Sequence, residues 1–106
     1  MIVTTVLGAA VAQTAPLDGR TLFLDARKGN CAACHQDSGD PSPKGKSNIG
    51  LALAELKKRD PDRAQLRAAI WDLSEKRPNT IMPPYGKHRI LTEIEIDAVV
   101  RYLESR

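Results

Sequence analysis

The most regular apolar pattern lies near the C-terminus. Ile96, Val99, Val100 and Leu103 recur at i, i+3, i+4 and i+7, the spacing of one helix face. Thr92 and Glu95 form a T-x-x-E capping box ahead of it, and Leu91 and Ile96 are spaced as a hydrophobic staple. A second stripe, Leu66, Ala69, Ile70 and Leu73, predicts a helix that starts at Asp60-Pro61, with Asp60 as N-cap and Pro61 as the first helical residue. A short helix is expected over 51–58, turning Leu53 and Leu56 inward. Another is expected from Asp18 to Lys28, with Leu22, Phe23 and Ala26 apolar and Gly29 as its stop. Residues 37–47 carry Ser, Gly, Asp and Pro and read as a loop. No stretch alternates as a strand would, and no internal repeat is visible. The predicted fold class is all-α, with these stripes as its core.

Composition changes this picture in one respect. The chain has 106 residues, enough for one domain, and 42% are hydrophobic. Nine of those apolar residues fall within positions 1–12, ten of the remainder are alanine, and the aromatic supply is one Phe, two Tyr and one Trp. A core so thin needs a disulfide, a metal, a cofactor or a partner. Residues 1–12 are uncharged and end in Ala10-Val11-Ala12, the small-x-small pattern of a signal-peptidase site, with Gln13 as the mature start. The expected division is a signal-peptide remnant, 1–12, and a domain over 13–106. The competing reading of 1–12 is an Ala-rich tail without targeting value. The run is too short to span a membrane, so the expected compartment is the periplasm.

The formal net charge is +3. Lys57-Lys58-Arg59 closes a predicted helix, where cations suit the dipole. Lys87-His88-Arg89 is either a solvated surface or a means of steering toward an acidic partner face. Without a basic stripe or a stacking platform, nucleic-acid binding is not expected.

What fills the core is indicated by Cys31-Ala32-Ala33-Cys34-His35. C-x-x-C-H is the attachment pattern of c-type haem: two thiols add to the porphyrin vinyl groups, and the adjacent imidazole lies at the iron. A thioredoxin-like site would need a βαβ surround, which is absent. Zinc would need two further ligands, and only His88 is of the usual type. A plain disulfide leaves His35 without a purpose. For the second axial position the candidates are Met82 and, as a fallback, His88; apart from Met1, Met82 is the only methionine. Met82 lies in Pro78-Asn79-Thr80-Ile81-Met82-Pro83-Pro84-Tyr85-Gly86, where prolines on both sides stiffen the loop. A stiff loop can present a weakly binding thioether with little entropy loss. Met/His ligation raises the reduction potential and closes the iron to small molecules.

Several blocks together resemble the SoxX cytochromes of the sulfur-oxidation system. They are Gly29-Asn30-Cys31 through His35, Asn48-Ile49-Gly50, Asp60-Pro61-Asp62-Arg63 with Leu66-Arg67 and Ile70-Trp71-Asp72, Pro78 through His88, and Leu91-Thr92 through Leu103. The resemblance runs from about residue 18 to the C-terminus. It implies a class I cytochrome c fold around one covalent haem c, with His35 and Met82 as axial ligands. It also implies a SoxA-type haem subunit as heterodimer partner, a downstream acceptor cytochrome and a transient contact with the SoxYZ carrier. The SoxAX pair acts as L-cysteine S-thiosulfotransferase, oxidatively joining thiosulfate to a SoxYZ cysteine. Sulfur chemistry in that family occurs at the partner's haem, so this chain is expected to be a non-catalytic electron outlet. Haem attachment would occupy both of its cysteines. The alternatives are a free-standing carrier cytochrome and, less favoured, a haem with an open iron position acting as a catalyst. One departure stands out: the family usually reads Gly-Asn-Ile-Gly-Pro where this chain has Ser47-Asn48-Ile49-Gly50-Leu51. In class I cytochromes c the carbonyl of that proline accepts the proximal imidazole N–H, a role that falls here to the Leu51 backbone.

Overall fold

The computed structural model describes residues 2–5, 17–40 and 47–106. Most of the expected leader with its cleavage site at 10–13, and positions 41–46 of the expected loop, lie outside the described residues. Residues 2–5 are exposed and without regular structure. Among the described residues all regular structure is helical: α1 (Gly19–Leu24), α2 (Leu53–Lys58), α3 (Arg63–Asp72) and α4 (Glu93–Glu104), with 3₁₀ turns at Cys31–Ala33 and Leu73–Glu75.

The expected capping box opens α4. Glu95 donates its N–H to Thr92 Oγ1 at 3.2 Å, and Thr92 donates its own to Glu95 Oε1 at 3.0 Å. Leu91 and Ile96 are both buried in one cluster, as a staple requires. Ile96, Ala98, Val99 and Val100 are nearly inaccessible, and α1 and α3 both pack on this helix. The crossing with α1 is close: a β-carbon on Gly19 would lie 2.1 Å from the Ala98 carbonyl oxygen. Phe23 meets Tyr102 with ring centroids 5.5 Å apart. Along the exposed edge, Arg63 pairs with Glu104 and Arg67 with Asp97, each at 2.9 Å.

Three boundaries differ from expectation. Helix α1 ends at Leu24, short of Lys28, because the chain curls back: Gly29 donates to the Leu22 carbonyl, and Lys28 and Asn30 both donate to the carbonyl of Asp25. Helix α2 starts at Leu53, two residues late, since the Leu51 carbonyl faces His35. The N-cap of α3 is Asp62, not Asp60. Asp62 accepts from the Gln65 N–H at 2.8 Å, and Gln65 Oε1 accepts from the Asp62 N–H at 2.9 Å. A cap at Asp60 would put Arg63 at the reciprocal position, and arginine has no acceptor to offer. Asp60 instead takes a left-handed turn at φ 48°. Leu66 and Ile70 are buried as expected, and Ala69 and Leu73 are half-buried.

Candidate functional site

The attachment segment is a tight turn. Asn30 enters it at φ 49°, and the N–H groups of Cys34 and His35 both donate to the Cys31 carbonyl. Cys31 and Cys34 form no disulfide with each other, each is half-buried, and burial pushes the Cys31 thiol up to about 12.

His35 is held on two sides. Its Nδ1 lies 2.6 Å from the Leu51 carbonyl oxygen. A carbonyl can only accept, so this bond fixes the proton on Nδ1 and leaves the Nε2 lone pair available. The second side is Gly50, where a β-carbon would stand 2.6–2.9 Å from Cε1, Nδ1 and Nε2. The 47–53 segment is drawn to the turn by Gly50 N–H on the Cys34 carbonyl at 2.7 Å and Leu53 N–H on Gln36 at 2.9 Å.

Met82 is half-buried, packed against a cluster that includes Leu22, Leu66, Ile70 and Tyr85, and donates its N–H to Thr80 Oγ1 at 3.1 Å. An open cavity of about 400 Å³, lined by Arg77, Pro78, Asn79 and Thr80, lies immediately before it in the chain. Cys31 packs on a second cluster of Phe23, Ala32 and Leu53, and Leu56 and Leu103 touch both clusters. The two candidate ligand segments therefore stand on two halves of the core bridged by the same leucines. His88 is exposed. Lys87 is paired with the buried carboxylate of Asp72 at 3.6 Å, so one charge of the Lys87-His88-Arg89 cluster is partly offset. Among the described residues no three His, Cys, Asp or Glu side chains gather as a group that could hold a metal ion.

Two long-range bonds were not visible as local patterns, and the first of them reaches the attachment segment. Tyr85 is buried and donates its hydroxyl to the Gly29 carbonyl at 2.5 Å, 56 residues away in the chain. Asp37, two residues past His35, is buried and accepts from Tyr102 Oη at 2.5 Å and Arg106 Nη2 at 3.1 Å. Their partners are too distant in sequence for any spacing rule to pair them.

The sequence matches the cytochrome c family over residues 17–106. The chain belongs to the cytochrome c family. This family carries covalently attached haem c, and the Cys31/Cys34 pair beside His35 fits such a site. The strand-free helical architecture among the described residues is that of the all-α class I cytochrome c fold. Among curated relatives, an uncharacterized lipoprotein of Aquifex aeolicus (strain VF5) is 35% identical over 80 residues, covering 76% of this chain and 38% of that protein. Photosystem II extrinsic protein V of Microcystis aeruginosa is 32% identical over 99 residues, covering 81% of this chain and 68% of that protein. The chain thus spans little more than a third of the first relative. Haem supplies a one-electron iron couple when bound. The chain's own part that the geometry shows is to orient His35 through the Leu51 carbonyl. It is a c-type haem protein.

Proposed function

We propose that this cytochrome is exported to the periplasm, uses His35 and Met82 as axial ligands, and serves as the SoxX-type electron-transfer subunit of a thiosulfate-oxidising complex. The observation that carries the axial pair is the His35–Leu51 bond, which leaves Nε2 as a lone-pair donor. Met82, in a loop stiffened by Pro83 and Pro84, is the thioether that complements it. A closed Met/His site suits a carrier and disfavours a catalyst.

The finer assignment rests on the blocks Gly29–His35 and Pro78–His88. Joining thiosulfate to a carrier thiol releases two electrons and one proton. A one-electron carrier takes these from a SoxA-type partner in two turns and hands each to an acceptor cytochrome. Both cysteines are committed to haem, so the sulfur-bearing step falls to the partner. Export is supported by the signal-like 1–12 stretch and by relatives whose names describe a lipoprotein and an extrinsic protein. No helix of the described residues is long and apolar enough to cross a membrane.

Purification from the native periplasm with haem staining tests this assignment. The expected result is co-isolation of a second haem protein of the SoxA type. A chain that fails to bind any such protein at micromolar concentration, and exchanges electrons rapidly as a monomer, is a free-standing carrier instead. Met82→Ala tests the ligand: the far-red Met–Fe(III) band should disappear, and its persistence would place the sixth ligand elsewhere.

A further inference from the structure

We infer that Tyr85 is a positioning residue that ties the Met82 loop to the haem-attachment turn and so sets how firmly the thioether is held. The inference rests on the reading of Met82 as an axial ligand. Met82 itself has one backbone anchor, the 3.1 Å bond from its N–H to Thr80 Oγ1. Next on the C-terminal side come Pro83 and Pro84, which donate no backbone hydrogen bonds but fix the chain direction. The first fully fixed point after Met82 is therefore Tyr85. Its N–H donates to the Ile70 carbonyl at 3.1 Å, and its carbonyl accepts from Ile90 at 2.9 Å and Leu91 at 3.1 Å. Its ring is buried in the cluster against which Met82 packs.

From that fixed point the hydroxyl reaches the carbonyl of Gly29, two residues ahead of Cys31. Gly29 is itself immobilised: its N–H donates to Leu22 at 3.1 Å, and a β-carbon there would lie 2.9 Å from Cys31 Sγ. Lys28 beside it pairs with Glu95 at 3.0 Å. Tyr85 is thus a single rigid strut between the Met82 loop and the turn that carries both thiols. Loss of the hydroxyl frees the loop to move away from the turn and leaves a buried carbonyl without its donor.

The test is displacement of the sixth ligand from the ferric holoprotein by added imidazole, read in the far-red band. For Tyr85→Phe the band should be present without imidazole and be lost at an imidazole concentration about 5–30-fold lower than wild type needs, the effect of one buried hydrogen bond. Tyr102→Phe is the control, since it loses an equally short bond, to Asp37, that ties neither the Met82 loop nor Gly29. Its denaturation midpoint should fall while its imidazole titration stays close to wild type. Equal titrations for Tyr85→Phe and wild type, or equal shifts in both tyrosine variants, would overturn the inference. Retention of the band in Met82→Ala removes the ligand reading, and this inference with it; its loss there with an unchanged Tyr85→Phe titration overturns the strut alone. If Tyr85→Phe does not accumulate with haem, the wild-type holoprotein answers by nuclear magnetic resonance. A slowly exchanging Tyr85 hydroxyl proton close to the Gly29 α-protons supports the strut, and a freely exchanging one overturns it.

Discussion

Gly50 lies so close against the His35 imidazole that a β-carbon at position 50 would stand 2.6 Å from Cε1 and 2.9 Å from Nε2. The next residue, Leu51, holds the opposite constraint by accepting from Nδ1 at 2.6 Å. Two consecutive backbone units therefore fix both the position and the tautomer of the ring.

Gly50→Ala should disturb that arrangement without any left-handed backbone strain, since Gly50 does not occupy that region. The ring must shift, at a cost of about 1–3 kcal/mol for an overpacked site. Haem content per chain should fall, and the denaturant midpoint of the residual holoprotein should drop. Unchanged haem content and midpoint would show that the ring has room.

Gly86 plays the same part against Trp71. A β-carbon on Gly86 would lie 2.0 Å from Cε3 and 2.2 Å from Cδ2 of the indole. Gly86→Ala should push the ring outward and away from Arg67, whose guanidinium carbon is 5.8 Å from its centroid. The expected loss is again about 1–3 kcal/mol. In a Trp71→Ala background the same change should cost much less, and an equal cost in both backgrounds would show that the indole is not the obstacle.

Glu95 gives the acid limb a measurable component. The Thr92 backbone N–H, and then Lys28 Nζ at 3.0 Å, hold its carboxyl below the ordinary value of 4.5 in spite of burial. A depressed folded-state pKa contributes stability above the unfolded value and loses it as pH falls through the folded one. Glu95→Gln keeps an acceptor at the capping-box position but carries no charge. Wild type should exceed it by roughly 1 kcal/mol at neutral pH. That difference should shrink progressively once pH drops below 4.5. A difference independent of pH would mean that the charge is not what stabilises this corner.

The covalent cofactor should be required for folding. The two apolar clusters among the described residues are built from few side chains, with Phe23, Ile96, Val99 and Val100 as the largest fully buried ones. A Cys31→Ala/Cys34→Ala chain, which cannot retain haem covalently, should lose most of its helical circular dichroism. Full retention of helicity would show that these clusters suffice alone.

Local chemistry was readable along the chain wherever partners lie within a few residues. The α4 capping box, staple and apolar face are of this kind, since their groups are three to seven positions apart and any helix brings them together. The Cys31-x-x-Cys34-His35 turn is another. Even the one misplaced cap was a local competition. Asp60 and Asp62 both have suitable side chains, and Gln65 favours Asp62 by supplying the reciprocal acceptor. The shorter α1 has a different cause, because its end is set by the fold-back onto Leu22.

Bonds between distant parts of the chain have no local spacing to announce them. The hydroxyl of Tyr85 reaches Gly29 and that of Tyr102 reaches Asp37, 56 and 65 residues away. Nothing in the neighbourhood of either tyrosine names its acceptor. Such a bond exists only after α1, α3 and α4 have packed, when an acceptor without access to water must find a donor in whatever side chain the packing delivers. The chemistry of this protein is written in short motifs, whereas the rigidity with which that chemistry is held comes from packing.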